Sequence, residues 1–273
     1  LKPDSTILLR FMAKMELHNG NLVAGWKLAN RAYQIQPENP EDIASLARTL
    51  VLLGELEKAE HLLLDGLEIA ENNANLQGVY WFVLLVSRRY EEAEAIVREK
   101  IDEMGQDMPD MIRRQFDSQL GMLTMIRGDF AAARQHLAAA MGDENDPAWS
   151  GEQTKLVTLA ALAYERTGDA ETAKSLLERA ERSIRRARLN GVDDQNIYYS
   201  ESVLLSMKND VPGALQKLQT AYDKGFRERW VFEIDGRLDP LRGEQDFQLV
   251  EQRINEDLNR ARTEIQSLSL AKL

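Results

Sequence analysis

Along most of the chain apolar residues return every three or four positions with charged residues between them, which is the spacing of amphipathic helices. Six short polar turns interrupt this pattern, and a small residue follows each turn by four or five positions. They are Gly20-Asn21 with Gly25, Gly54-Glu55 with Ala59, Arg88-Arg89 with Ala93, Gly128-Asp129 with Ala133, Gly168-Asp169 with Ala173, and Asn209-Asp210 with Ala214. The small residues are spaced 34, 34, 40, 40 and 41 positions apart, so the chain is built from a repeated unit. A bulky apolar residue follows at helical spacing (Leu63, Val97, Leu137, Leu177, Leu218). A second small residue lies near it at Ala32, Gly66, Ala140, Ala180 or Ala221.

Each part of the unit has a physical use. Glycine supplies the positive φ that ends a helix. Asn21, Asp129, Asp169 and Asp210 are placed to cap the next helix. Pro212 falls in a first helical turn, where its missing N–H costs nothing. The small residues let two helices approach closely. The pattern therefore predicts an all-α chain of helix hairpins.

The segment Phe11 to Pro37, with Ala32 and Pro37, the copy beginning at Pro40, Tyr90 with Ala93, Leu120-Gly121 and Tyr164 together resemble the tetratricopeptide repeat (TPR) family. The resemblance covers roughly residues 5–225. It implies a right-handed α-α superhelical solenoid of about six TPR-like hairpins with a C-terminal capping helix. The expected division is a solenoid over 1–225 and a junction plus capping helix over 226–273. The later copies carry extra residues, which predicts longer helices or loops there, notably from Ala170 to Asn190. Residues 104–110 read as a connector ending at Pro109, and residues 141–151 as the most turn-rich stretch.

The tail contains Leu238, Asp239, Pro240, Leu241 and Arg242, followed by Phe247. This resembles the end of TPR regions in bacterial multidomain regulators, such as winged-helix activators and class III nucleotidyl cyclases. That likeness implies a larger regulatory protein. Apolar residues then recur at Phe247, Val250, Ile254, Leu258, Ala261, Ile265 and Leu268. The expected use of this stripe is to cap the sixth repeat, with Trp230 and Phe232 filling the junction. A helix from Gln245 to Leu268 is about 36 Å long at 1.5 Å per residue, so its last turns are expected to project. A dimer through this C-terminal helix is the second use of the stripe.

Composition narrows the function. With 44% hydrophobic and 29% charged residues the 273-residue chain has the makeup of a folded, soluble protein. A net charge of −11 repels phosphate backbones, which argues against direct nucleic-acid binding. No apolar run reaches membrane-spanning length. The chain begins at Leu1 and reads as a piece of a longer protein, with the compartment left open between cytoplasm and periplasm. Without cysteine there is no disulfide or thiolate chemistry. His18, His61 and His136 lie in different repeats without metal-ligand spacing. The acidic residues Asp143, Glu144 and Asp146 lack the order of a calcium loop. No phosphate-binding loop or nucleophile motif is present, so neither an enzyme nor a cofactor is expected.

In the TPR family the first helix of each repeat lines a concave groove. Carried onto this sequence, the groove positions are Arg10, Lys14, Arg48, Phe82, Leu85, Met122, Met125 and Tyr199, with Thr158 and Leu162 between them. The first part is basic and the middle is apolar and partly methionine, a composition suited to adaptable contacts. The other reading of Phe82, Leu85, Met122 and Met125 is plain core. Ser45 and Val79 depart from the carboxylate clamp of chaperone-tail binders. The resulting expectation is a protein-interaction scaffold holding a peptide or helix of a protein partner. The alternative is a sensory module that binds a small ligand and controls an attached output domain.

Overall fold

The structure, a computed structural model, describes residues 5–141 and 151–270. The acidic turn containing Asp143, Glu144 and Asp146 lies outside the described residues. Among those described there are fourteen α-helices, two short 3-10 helices and no strand. Six hairpins come first: α1 (Thr6–His18) with α2 (Leu22–Ile35), α3 (Pro40–Leu52) with α4 (Leu56–Ile69), and α5 (Ala74–Val86) with α6 (Tyr90–Met104). They continue with α7 (Asp110–Ile126) and α8 (Phe130–Ala140), α9 (Gly151–Arg166) and α10 (Ala170–Leu189), and α11 (Gln195–Met207) and α12 (Val211–Asp223). The tail holds α13 (Val231–Ile234), a 3-10 helix (Gly236–Leu241) and α14 (Gln245–Leu270).

All six hairpin turns pass through a left-handed residue. Gly20, Gly54, Gly128 and Gly168 have φ between 76° and 86°, and Arg88 and Asn209 take φ of 60°. Asp129, Asp169 and Asp210 accept from the backbone N–H of Ala132, Thr172 and Gly213, each at 3.1 Å, and so cap the second helices. Asn21 is a correction. Its side chain makes no cap bond and instead donates to Glu16 Oε2 at 2.7 Å. The extra residues of the later repeats lengthen helices: α7, α9 and α10 have 17, 16 and 20 residues. Pro109 stands at the N-terminal cap of α7, after a short 3-10 turn over Gly105–Asp107.

The small residues sit where helices meet. Ala59, Ala93, Ala133 and Ala214 are fully buried. Leu177 is only half-buried, and its neighbour Leu176 takes the core position.

The chain packs as two compact units. The first comprises Leu1–Arg89, Tyr222–Trp230 and Leu249–Leu273, and the second Tyr90–Ala221 and Val231–Gln248. These units follow a different line from the sequence division at 225/226. In the first, Ile43, Ala47 and Val51 of α3 pack with Ala59 and Leu63 of α4 and Leu76, Val79 and Val83 of α5. In the second, Ala133 and Leu137 of α8 pack with Val157, Ala160 and Ala161 of α9, Leu176 and Ala180 of α10, and Ile197 and Leu204 of α11.

Candidate functional site

The basic groove residues do not converge on a common point. Arg10 donates through Nη1 to Asp42 Oδ1 at 2.6 Å, and Asp42 is completely buried. Its guanidinium therefore neutralises a carboxylate that desolvation would otherwise strongly penalise. Arg48 is exposed and donates to Asn75 Oδ1, while Asn75 Nδ2 donates to Glu41 Oε2 at 2.8 Å. Lys14 is exposed on α1. A free carboxylate clamp from Arg10, Lys14 and Arg48 is thus not assembled, because two of the three cations already have partners on the first helix of the following repeat.

The apolar groove residues divide by burial. Leu85 is completely buried, Tyr199 is 1% exposed and Met125 9% exposed, so these three present no surface to a partner in this conformation. Met122 and Phe82 are half-buried. Phe82 meets Trp230 edge-on, with ring centroids 5.3 Å apart and planes at 82°. Thr158 and Leu162 are buried as well.

Tyr199 belongs to a polar cluster in the second unit. Its hydroxyl donates to Asp235 Oδ2 at 2.5 Å. Arg237 grips the same carboxylate through two parallel hydrogen bonds, Nε to Oδ1 at 2.8 Å and Nη2 to Oδ2 at 2.6 Å. Its Nη1 donates to Thr158 Oγ1 at 2.6 Å and to the Lys155 carbonyl at 3.0 Å. Burial alone would raise the Asp235 pKa, but the Arg237 charge and the hydrogen bonds outweigh it and hold the carboxyl below its usual range. For Arg237 burial pulls downward, and Asp235 more than compensates. Every polar group here is occupied, which fits an anchor for the junction segment and not a reactive centre.

The open surface of the first unit lies beside α14. The expected projection does not hold as far as Arg262. Arg262 Nη1 donates to the Leu53 carbonyl at 2.9 Å, satisfying an acceptor left open at the end of α3. Farther back, Asp257 accepts from the Tyr222 hydroxyl at 3.0 Å and pairs with Arg227 Nε at 2.8 Å. Gly225 backs onto the first hairpin turn, where an added Cβ would stand 2.6 Å from the nitrogen of Gly20. Burial fades along the stripe. Val250, Ile254, Leu258 and Ala261 are buried, whereas Ile265 and Leu268 are only half-buried.

Where the burial fades a cleft of about 550 Å³ opens. Its walls are apolar: Trp26 of α2, Leu46 and Leu50 of α3, Leu53, and Ile265 of α14. Glu55, Lys58, Arg262 and Gln266 form its rim and also border a neighbouring polar cleft of about 660 Å³. Lys58 and Glu55 pair at 2.6 Å, so the rim offers hydrogen bonds with little net charge. Ile265 was visible in the sequence as part of the tail stripe. Its proximity to Trp26 and Leu50 was not, because no local pattern encodes where a helix more than two hundred residues away comes to rest.

No group of three or more His, Asp or Glu side chains able to hold a metal occurs among the described residues. His136 Nδ1 lies 3.0 Å from Asp117 Oδ1 and is thereby accounted for. No described helix is long and apolar enough to cross a membrane.

The sequence matches no described family profile and no curated protein. Solved structures do resemble the fold. The Cut9–Hcn1 hetero-tetramer of the APC/C aligns with a TM-score of 0.58 and 11% identity, over 93% of this chain and 43% of that one. A tetratricopeptide repeat protein from Parabacteroides merdae aligns with a TM-score of 0.53 and 14% identity, over 88% and 84%. BtubC from P. vanneervenii aligns with a TM-score of 0.52 and 19% identity, over 68% and 81%. At these identities the likeness establishes a TPR-like fold and says nothing of ligands.

Proposed function

We propose that this chain is a protein-interaction scaffold whose first unit holds helical or extended segments of a partner. The observation that carries the reading is the treatment of α14. The first two hairpins already hold a helix, by an apolar strip and a bond to an open helix-end carbonyl. Beside that helix they leave an apolar cleft of about 550 Å³ unfilled. Partner side chains of the size of leucine or phenylalanine fit such a space, and a tryptophan in its wall supplies the contact area typical of strong anchoring points. Within the first unit the exposed Lys14 and the half-buried Phe82 extend the candidate surface, and Met122, half-buried in the second unit, is a candidate position by itself. A place within a larger bacterial regulatory protein is part of the same proposal and rests on the tail resemblance alone.

The test is site-specific photo-crosslinking from a photoreactive residue at position 58, on the cleft rim, in the full chain. The expected result is a defined adduct with a partner polypeptide that Trp26→Ala weakens while the helical circular dichroism is unchanged. Adducts within the chain only, or adducts indifferent to Trp26→Ala, would remove the cleft from the account. The cleft also falls within the roughly 300–1,000 Å³ range of small-molecule sites, which is the observation favouring the sensory reading. Native mass spectrometry separates the two, because a sensor carries a stoichiometric small-molecule mass and a scaffold does not.

A further inference from the structure

The C-terminal half of α10 departs from the charge of the rest of the molecule. The chain carries a net charge of −11, yet residues 179–188 hold Arg179, Arg182, Arg185, Arg186 and Arg188 against the single acidic residue Glu181. Arg188 is committed internally. It donates to Glu201 Oε1 at 2.8 Å and to Asp193 Oδ1 at 2.9 Å, and its guanidinium lies 4.0 Å from the centre of the Tyr198 ring. Glu181 is drawn to Lys208 at 2.7 Å and reaches Arg185 only at 3.8 Å.

Arg182, Arg185 and Arg186 are exposed. With Leu189 they occupy positions i, i+3, i+4 and i+7, so they share one face over two turns. Leu189 is 82% exposed, and Val192 just beyond the helix is 36% exposed. Cations near a helix C-terminus complement the helix dipole, but that benefit fades within the last turn. Arg188 and Arg186 already serve it there. The dipole accounts neither for the arginines a turn earlier nor for a leucine standing in water at the end of their row.

We propose that this face of α10 docks a short acidic segment of a partner protein, its carboxylates meeting Arg185 and Arg186 and an apolar side chain covering Leu189. The inference builds on the scaffold reading and adds a second surface to it. Arginine suits carboxylates because its planar fork binds them through two parallel hydrogen bonds. The overall charge selects a short peptide over an extended polyanion. Screening confines electrostatic attraction to about 8 Å at physiological ionic strength, so a short segment meets only the local arginines. A nucleic-acid duplex or an anionic bilayer would also face the acidic remainder of the molecule.

The experiment is fluorescence anisotropy on the full chain, with a fluorescein-labelled peptide of acidic residues flanking a central leucine. The comparison peptides replace the carboxylates by amides, or the leucine by serine. The acidic leucine peptide should bind, and added salt should weaken it. Arg185→Glu with Arg186→Glu should lower its affinity by at least about tenfold. Leu189→Ser in the protein, and serine in the peptide, should each weaken binding and should not be additive with one another. Should the charge reversal unfold the chain, Arg185→Gln with Arg186→Gln carries the same test.

The inference is overturned if the arginine variants bind the peptide as the parent does. It is equally overturned if duplex DNA or phosphatidylserine vesicles bind more tightly than the peptide. Failure of the parent chain to bind the acidic leucine peptide, with intact cross-linking at the cleft, would sink this inference alone and leave the scaffold reading standing.

Discussion

Asp235 and Arg237 are a buried ion pair, 6% exposed each and linked to Tyr199 and Thr158. A buried pair of this kind adds little net stability relative to a well-packed apolar pair, but losing one partner strands the other charge. Arg237→Met should therefore destabilise the protein by about 3–5 kcal/mol in urea unfolding, and replacing both Arg237 and Asp235 by apolar residues should recover part of that loss. Because the folded pKa of Asp235 lies below the ordinary 3.8, its contribution is fully present above that value. It is lost as the pH falls through the lower folded value, so the parent should lose more stability below about pH 4 than the double variant does. A flat difference between the two across that range would contradict the assigned pairing. The neighbouring turn from Leu238 to Arg242 was legible in the sequence, but Asp235 and Arg237 were not, since an Asp and an Arg two positions apart ordinarily mark a solvated loop.

Among the elements, α7 and α8 show why the repeat tolerates so little change at its seams. An added Cβ at Gly121 would stand 2.7 Å from Leu137 Cγ and 3.3 Å from the Leu137 nitrogen, so the two helices meet nearly backbone to backbone. Gly128 differs: nothing lies within 4 Å of its would-be Cβ, and only its φ of +77° favours glycine. Gly121→Ala should overpack the seam at a cost of about 1–3 kcal/mol. Gly128→Ala should cost about 1–2 kcal/mol through the backbone alone. Thermal and urea unfolding of the two variants check both, and a Gly121→Ala protein as stable as the parent would refute the close approach. The turn glycines stood out in the sequence because each stands at the foot of a hairpin. Gly121 was legible only as part of the Leu120-Gly121 pair, and the reason for it, Leu137 on the opposing helix, is a tertiary fact.

At the scale of the molecule, the tail stripe bears on assembly. Phe247, Val250, Ile254, Leu258 and Ala261 are buried within the chain itself. Only Ile265 and Leu268 stay half-buried, and two positions fall short of the several heptads that a stable coiled coil requires. The full chain should therefore scatter light as a monomer near 31.0 kDa. A mass of twice that value which Ile265→Asp with Leu268→Asp returns to the monomer would show that the helix end pairs after all.

By itself the sequence determined the class of fold, the six hairpins and the places where they turn, because these depend on forces that act within a few residues. Helical spacing of apolar side chains, a left-handed residue at each hairpin turn and a small residue at each seam are all local rules. It also indicated a helix from Gln245 onward, since the stripe is written in a single run. Only the tertiary structure decided that Arg262 reaches the Leu53 carbonyl, that Leu85, Met125 and Tyr199 turn inward, and that a cleft opens between Trp26 and Ile265. Those outcomes depend on which surfaces remain unsatisfied once all the helices have formed. They are settled by apolar area, open helix-end carbonyls and charge neutralisation between residues far apart in the chain, and no short stretch of sequence contains both partners.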